Sequence, residues 1–268
     1  MLRLSALYRY PLKSGKAEAL QQIGLDKLGL DGDRRWMLVD EASGRFLTQR
    51  AVAKMSQLSA LWNSSGGLTL SSPGYASLDV ALPGSASELR GVTIWRDTLR
   101  VPDAGDEAAA WVSEFIGKPT RLVQLPLERA RTTEAGYGKD DDKVGFADGY
   151  PLLLIGQGSL DDLCVKIGRP MEMLRFRPNL VIEGAEAFAE DGWKRLRIGD
   201  VEFRVVKPCS RCILTTVDPQ TGERSPDREP FATLETYRQT EKGAMFGQNL
   251  VNDGIGRLEV GMPVTVLE

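Results

Sequence analysis

The stretch "LRIGDVEFRVVKPCSRC" covers residues 196–212 and joins two short alternating segments to a pair of cysteines. Apolar residues occupy every second position on both sides of Gly199 and Asp200. This pattern predicts two strands joined by a tight turn. Three other stretches show similar patterns and are expected to form hairpins: residues 35–49, 91–103 and 257–268. The chain is therefore expected to be rich in β-structure.

Helical periodicity is confined to three segments. Residues 106–116 place apolar side chains on one face at helical spacing. Residues 159–167 form a second such segment, and Ser159 with Asp162 gives a capping-box pattern at its start. A third helix is expected over about residues 230–238, beginning at a proline. The predicted fold class is α+β and β-rich, with few helices.

The composition allows a full hydrophobic core and argues against several classes of partner. Of the 268 residues, 42% are hydrophobic, and the net charge is −3 with acidic and basic residues interspersed. A nucleic-acid-binding surface would need a basic excess on one face, so no nucleic-acid partner is expected. No segment approaches the roughly 18 consecutive apolar residues of a membrane span, so no membrane partner is expected. Three cysteines do not form a secreted disulfide framework, which favours a cytoplasmic protein.

The chain contains no histidine. This excludes Ser-His-Asp and Cys-His catalytic arrangements, histidine-ligated zinc or haem, and an imidazole general base. Any chemistry must therefore use a thiolate, a carboxylate, Lys, Arg, Tyr or a cofactor.

The cysteine pair, Cys209 and Cys212, does not fit the common interpretations of its spacing. A thioredoxin-type dithiol lies at the start of a helix, whereas this pair follows a predicted strand and precedes the β-branched run "ILTTV". Structural zinc and iron–sulfur sites need four ligands, and the third cysteine, Cys164, is expected in the core. Two interpretations remain: two buried thiols, or one thiolate on a metal whose other ligands belong to an organic cofactor. Lys207 and Arg211 would favour a thiolate.

Seven separated motifs resemble, in order, those of the MOSC proteins, a family named for the C-terminal domain of molybdenum-cofactor sulfurase. They are "YPLKS" (10–14), "DGDRRWMLVD" (31–40), "FLTQR" (46–50), "FADGYPLLLI" (146–155), "RFRPNLVI" (175–182), "CSRCILTTVDPQTG" (209–222) and "FGQNL" (246–250). The chain resembles the branch that contains the mitochondrial amidoxime-reducing component and the bacterial YcbX-type proteins. The resemblance implies a MOSC-associated β-rich N-terminal domain over residues 1–118 and a MOSC β-barrel domain over residues 119–268.

The resemblance also implies a molybdenum cofactor, in which the dithiolene sulfurs of a pterin hold molybdenum. Cys212 matches the position of the family's metal-binding thiolate, and Cys209 is then a neighbour of the site. Lys13, Ser14 and Arg34 match the family's cofactor-holding positions, and their charges and hydrogen-bond donors suit a phosphate. The resemblance implies six further residues around the cofactor: Asp148, Arg177, Asn179, Ser210, Arg211 and Asn249.

The activity implied by the resemblance is a molybdenum-dependent reduction of N-hydroxylated compounds, such as amidoximes and hydroxylamines, by oxygen-atom transfer to molybdenum. Asp148 is a candidate for relaying protons, so it joins Cys212 as a predicted catalytic residue. Some members continue into a ferredoxin domain, which this sequence lacks, so a separate ferredoxin-like or flavin protein is expected to supply electrons. The polar segment 127–148 is expected to shape or cover the substrate entrance.

Two alternatives stay open from the sequence. The first is a non-catalytic carrier of molybdenum cofactor or of a persulfide on Cys212, which would show a labile sulfur and no stoichiometric molybdenum. The second is a dithiol oxidoreductase, which would form a reversible disulfide between Cys209 and Cys212.

Overall fold

The computed structural model describes residues 1–268 and contains twenty-one strands, three α-helices and five short 3₁₀ helices. The strands are β1 (Arg3–Arg9), β2 (Glu18–Leu20), β3 (Gln22–Asp26), β4 (Gly29–Leu30), β5 (Trp36–Asp40), β6 (Ser59–Trp62), β7 (Leu68–Ser71), β8 (Leu78–Val80), β9 (Leu89–Ile94), β10 (Asp97–Pro102), β11 (Thr120–Gln124), β12 (Arg131–Thr132), β13 (Lys143–Val144), β14 (Leu152–Gly156), β15 (Leu180–Glu183), β16 (Arg195–Ile198), β17 (Val201–Ser210), β18 (Gln239–Thr240), β19 (Gly243–Asn252), β20 (Gly256–Glu259) and β21 (Val264–Val266). The α-helices are α1 (Asp106–Ile116), α2 (Gln157–Ile167) and α3 (Phe231–Tyr237). The 3₁₀ helices cover Ala53–Gln57, Leu127–Arg129, Met173–Phe176, Ala189–Gly192 and Ile213–Thr216.

A nine-stranded sheet forms a barrel. Its strands follow the order β2-β1-β15-β14-β19-β17-β16-β21, with β18 beside β19, and only β14 and β15 run parallel. The Leu4 N–H donates to the Met262 carbonyl, and the Val264 N–H donates to the Leu2 carbonyl. These bonds join β1 to the β21 end, so the sheet returns to its start. Sixteen buried apolar residues form the core between these strands, with Phe203 fully buried among them.

The N-terminal part of the chain packs smaller sheets around α1. The three-stranded sheet β6-β7-β8 and the pair β5-β11 surround a second core of fifteen buried apolar residues, which includes Trp36 and Phe115. A third core of eight residues packs β9 and β10 against β5 and β11. α1 ends at Gly117, whose φ of +88° is readily adopted only by glycine.

The expected β-rich α+β fold with few helices is confirmed. α1 has the predicted bounds, and α3 lies within the predicted segment. Two predicted hairpins are present, β9–β10 and β16–β17, and the second turns at Gly199–Asp200 as expected.

One predicted hairpin is wrong, and another is reduced to a single bridge. The C-terminal strands β20 and β21 do not pair with each other, because β20 pairs with β3 and β21 pairs with β16. Residues 35–49 do turn back as predicted, with an antiparallel bridge between Val39 and Phe46, but β5 pairs along its whole length with β11 instead. Alternation identifies a strand and its buried face, but it carries no information about which strand lies beside it.

α2 begins at Gln157, two residues before the predicted start, and Ser159 does not cap it. Ser159 lies buried inside the helix, and its hydroxyl donates to the Glu190 carboxylate at 2.7 Å. The same carboxylate accepts the Gly156 N–H at 3.0 Å. The start of this helix is therefore held by a side chain more than thirty residues away and has no side-chain cap of its own, which the local pattern could not indicate.

None of the helices is long and apolar enough to cross a membrane. The division between residues 1–118 and 119–268 stays a prediction. Strands pair across that position, since β5 pairs with β11 and β1 pairs with β15.

Candidate functional site

All ten residues expected at the site line a single cleft, where segments following β1, β4 and β5 meet the barrel. They are Lys13, Ser14, Arg34, Asp148, Arg177, Asn179, Ser210, Arg211, Cys212 and Asn249. These residues come from six separate parts of the chain, which converge because β1, β15, β14, β19 and β17 are successive neighbours in the barrel. The lining contains five basic side chains and one acidic side chain, so the cleft is electropositive.

Cys212 lies two residues beyond the end of β17, immediately before the 3₁₀ helix Ile213–Thr216. The pairing of β17 with β19 shifts register between Pro208 and Ser210, and such irregularities change the direction of side chains beside functional sites. The Cys212 Sγ accepts a hydrogen bond from Arg50 Nε at 3.3 Å. The β-branched run after the pair thus forms one 3₁₀ turn and no α-helix.

The two basic residues expected to favour a Cys212 thiolate have other partners. Arg211 donates from Nη1 to the Cys209 Sγ at 3.0 Å, and Lys207 donates to the Glu134 carboxylate at 2.7 Å. All three cysteines have free thiols. Each thiol of the pair therefore has its own guanidinium, and the one at Cys212 does not come from Arg211.

Arg50 provides the guanidinium at Cys212, and it is not among the residues predicted at the site. Besides the sulfur, it donates from Nη2 to Asp148 at 3.2 Å, and its guanidinium carbon lies 4.8 Å from the centre of the Trp95 ring. The one available signal was its position at the end of the motif "FLTQR", residues 46–50. An isolated arginine after a strand gives no other indication of its partner.

Lys13 and Asp148 form an ion pair in the cleft. The buried Lys13 Nζ donates to Asp148 at 2.5 Å and to the Phe146 carbonyl at 2.8 Å. Burial lowers the pKa of Lys13 to about 8, against the opposing attraction of Asp148. For Asp148, desolvation raises the pKa, but the charges of Lys13 and Arg50 outweigh it and hold the pKa well below its usual range. The Asp148 side chain is 55% exposed, so an ionised carboxylate faces the solvent at this point.

Arg34 and Arg177 both lie against the ring of Tyr10. Their guanidinium carbons are 4.3 and 4.2 Å from the ring centre. Arg34 also donates to Asp33 at 2.6 Å and to the Asn179 side chain at 2.8 Å. Burial lowers the pKa of Arg177 to about 10, so its guanidinium is still charged at neutral pH. The pair presents two fixed cations in the cleft.

Three of the cleft residues have left-handed backbone conformations. Ser14, Arg34 and Arg177 have φ values of +61°, +46° and +58°, and only three other residues besides glycines have a positive φ. Non-glycine residues in this region are uncommon, and they concentrate at functional sites where the surrounding structure fixes them. No sequence pattern indicated these conformations.

Two buried donors in this cleft have no partner in the protein. They are Nη2 of Arg177 and Nε of Arg211. A buried donor without an acceptor is unfavourable, and nearly all such groups in folded proteins are satisfied. Together with the excess of basic side chains, these donors suit an anionic ligand rich in acceptor atoms, as a phosphorylated pterin would be.

Asn179 holds the wall of the cleft together. Its side-chain oxygen accepts from Arg34 and from the Leu153 N–H, and its side-chain nitrogen donates to the Tyr8 carbonyl. Asn249 and Ser210 instead donate to carbonyl groups on neighbouring backbone, those of Lys207 and Lys242.

Replacing Asn179 with alanine is expected to lower the free energy of unfolding by about 2 kcal/mol or more, because the buried Leu153 N–H and the Arg34 guanidinium lose an acceptor. Urea unfolding of cofactor-free protein measures the effect. Asn249→Ala is the control, since Asn249 is only half-buried and its loss leaves two carbonyls near solvent. It should cost less than about 1 kcal/mol, and equal effects would contradict the assignment.

The polar segment 127–148 is structured and attached to the barrel. It contains a 3₁₀ helix and the strand pair β12–β13. Asp142 is buried and pairs with Arg204 at 2.6 Å, and Glu134 pairs with Lys207. These contacts fix the segment beside the cleft.

Comparisons with known proteins agree with the motifs. Two family models match the chain: the MOSC N-terminal beta barrel domain over residues 1–119 and the MOSC domain over residues 141–265. Mitochondrial amidoxime-reducing component 1 of Danio rerio is 33% identical over 275 residues, covering 97% of this chain and 83% of that protein. The Homo sapiens protein of the same name is 33% identical over 283 residues, covering 98% and 82%. Mitochondrial amidoxime reducing component 2 of Rattus norvegicus is 34% identical over 283 residues, covering 97% and 82%. The chain therefore belongs to the MOSC-domain family, in the group that contains the mitochondrial amidoxime-reducing components.

Proposed function

We propose that this protein is a molybdenum-cofactor-dependent reductase of N-hydroxylated compounds. The observation that supports this most strongly is the Cys212 thiol, held by the Arg50 guanidinium in an electropositive cleft with unpaired buried donors. The names of the relatives, amidoxime-reducing components, indicate the reaction class. Amidoximes and hydroxylamines are the expected substrates.

The residues of the cleft fit an anionic cofactor with a thiol-binding metal. Cys212 would supply the one protein ligand to molybdenum, because a thiolate suits a soft, redox-active metal. Lys13, Ser14 and Arg34 would hold the phosphate, and Arg177 and Arg211 would donate to polar atoms of the pterin. When bound, the cofactor supplies the two-electron redox chemistry that the side chains lack.

Lys13 and Asp148 are proposed to carry protons to the cleft. Conversion of an N–OH group to N–H consumes two electrons and two protons and releases water. Lys13 loses its proton near pH 8, and it donates directly to Asp148, which is open to solvent. We propose that protons reach the cleft along this pair, with Asp148 passing them on and remaining ionised between turnovers. The electron donor is proposed to be a separate ferredoxin-like or flavin protein.

The proposal is tested on protein expressed in a host that makes molybdenum cofactor. Molybdenum and pterin are quantified per polypeptide, and reduction of benzamidoxime to benzamidine is followed with a chemically reduced viologen as electron donor. Near-stoichiometric molybdenum and amidine formation are expected. Substoichiometric metal, with no pterin fluorescence after oxidation, would refute the cofactor assignment.

Retention of the cofactor is expected to weaken as the pH rises through about 8. Lys13 binds an anion only as a cation, and burial lowers its pKa to about 8. The charge is therefore present below that pH and lost above it, and a bound phosphate would move the transition somewhat higher. Loss of one charged hydrogen bond should weaken binding by about tenfold or more.

Pterin released into filtrates across about pH 6.5–9.5 measures this retention. Lys13→Arg is the matched variant, because its guanidinium remains charged throughout the range. It should hold the cofactor with little pH dependence. A wild-type profile as flat as that of Lys13→Arg would show that Lys13 does not contact the anion.

A further inference from the structure

Trp95 occupies an unusual position beside the cleft. It is the first of the two residues that turn the β9–β10 hairpin, and its φ is +53°. The second, Arg96, has no positive φ, so the turn belongs to the type in which glycine is preferred at the first position. A bulky residue with positive φ is a genuine outlier. Such strained positions persist where the surrounding structure fixes them, and they concentrate at functional sites.

Contacts around the indole direct it toward the functional site. Its Nε1 donates to Asp148 at 3.3 Å, and its ring packs edge-on against Phe46 with centroids 4.9 Å apart. The Arg50 guanidinium lies 4.8 Å from the ring centre. Even so, 44% of Trp95 is exposed. The ring is thus held in a fixed position while much of its surface remains open.

That open surface lines a second cavity, of about 740 Å³. The cavity lies between the β9–β10 hairpin and residues 131–135. It meets the first cleft at Asp148 and Gly149, which line both. Its volume is within the range of pockets that bind small molecules. A molecule in this cavity would extend directly into the cleft that contains Cys212.

Most charges in the wall of this cavity are already paired. Asp97 pairs with Arg131, and Glu134 and Asp148 pair with cations outside the cavity lining. Arg96 is the one charged lining residue without an ion pair. The wall otherwise offers the indole, Leu99, Ala135 and the hydroxyl groups of Thr98, Thr132 and Thr133. These groups suit a planar, uncharged molecule with a few polar atoms, which can stack on the open part of the indole.

We propose that this second cavity receives the non-reacting part of the substrate, and that Trp95 selects planar, conjugated N-hydroxylated compounds over saturated ones by stacking. The inference rests on the proposed function, since the reacting N–OH group would point past Asp148 into the first cleft. Trp95 acts as a specificity-determining residue in this arrangement, and it takes no part in the redox step.

The test compares two uncharged amidoximes of similar size, benzamidoxime and its saturated analogue cyclohexanecarboxamidoxime. Dissociation constants are measured by calorimetry on the cofactor-loaded protein without any electron donor, so that no turnover occurs. The wild type should bind benzamidoxime about 3- to 10-fold more tightly than the saturated analogue. Trp95→Leu should lose this preference, whereas Trp95→Phe should keep most of it.

The two variants are matched, since both keep a side chain with a Cβ at the strained position and both lose the N–H that donates to Asp148. Leu61→Ala, at an exposed position outside both cavities, controls for general effects. With an electron donor present, Trp95→Leu should raise the KM for benzamidoxime more than Trp95→Phe does. A preference that survives in Trp95→Leu, or equal losses in both variants, would overturn the inference. Binding with the expected preference but no reduction would refute the proposed function and leave the cavity assignment standing.

Discussion

Replacing Cys212 with serine is expected to remove bound molybdenum and to lower reductase activity by more than about 100-fold. Changes to residues that only surround a metal site typically cost 10- to 100-fold, so loss of the sole protein ligand should cost more. A serine hydroxyl is not a soft donor and stays protonated at neutral pH, so it cannot replace the thiolate. Molybdenum per polypeptide, pterin content and amidoxime reduction are measured on the same preparation.

Cys209→Ser is the matched control, because it makes the same atomic change three residues away. The Cys209 Sγ accepts from Arg211 and packs beside the apolar cluster that includes Phe176. The variant should retain most of its molybdenum, with activity within about tenfold of wild type. Equal damage from both variants, with a reversible disulfide in the wild type, would instead favour a dithiol oxidoreductase. A labile sulfur on Cys212 without stoichiometric molybdenum would favour a persulfide carrier.

The strands and the first helix could be predicted because their signals are local. Residues 196–206 alternate around a glycine and an aspartate, and they form the hairpin β16–β17. The C-terminal residues alternate equally well, yet β20 and β21 pair with strands far away in sequence. β21 completes the barrel sheet and β20 joins a separate sheet with β3 and β4, so both partners depend on the assembled tertiary structure. The predicted Ser159 cap of α2 is wrong for the same reason, because Ser159 instead binds Glu190, a residue distant in sequence.

The motifs indicated ten candidate site residues, which line one cleft, but they did not indicate the contacts among them. Nothing in the isolated residues predicts that these ten side chains lie in one cleft. Arg211 was expected to act on the Cys212 sulfur because it is adjacent in sequence, yet Arg50 makes that contact across 162 residues. The role of Trp95 was equally hidden, since a tryptophan in a hairpin turn reveals neither its φ nor the cavity beside it. Adjacency in sequence does not indicate which side chains are in contact at a site where residues from several strands converge.

Replacing Arg50 with alanine is expected to lower kcat/KM by about 10- to 100-fold, with a partial loss of molybdenum. Arg50 is the one side chain that touches both the Cys212 sulfur and Asp148. A guanidinium donates to two acceptors in a fixed geometry, and its charge stabilises a thiolate. Without it, the sulfur loses its donor, and Asp148 retains only Lys13 as a cationic partner. Molybdenum content, kcat and KM are measured together.

Two further variants separate the two contacts of Arg50. Arg50→Lys keeps the positive charge but has a single ammonium group, which cannot reproduce the fork between sulfur and carboxylate. It should retain more molybdenum than Arg50→Ala and recover only part of the activity.

Asp148→Asn removes the carboxylate and leaves the contact between Arg50 and the sulfur in place, so it should lower kcat while the metal remains bound. If Asp148→Asn loses as much molybdenum as Arg50→Ala, then Arg50 acts mainly through the carboxylate. If Arg50→Ala keeps full molybdenum and full activity, its hydrogen bond to Cys212 has no functional role.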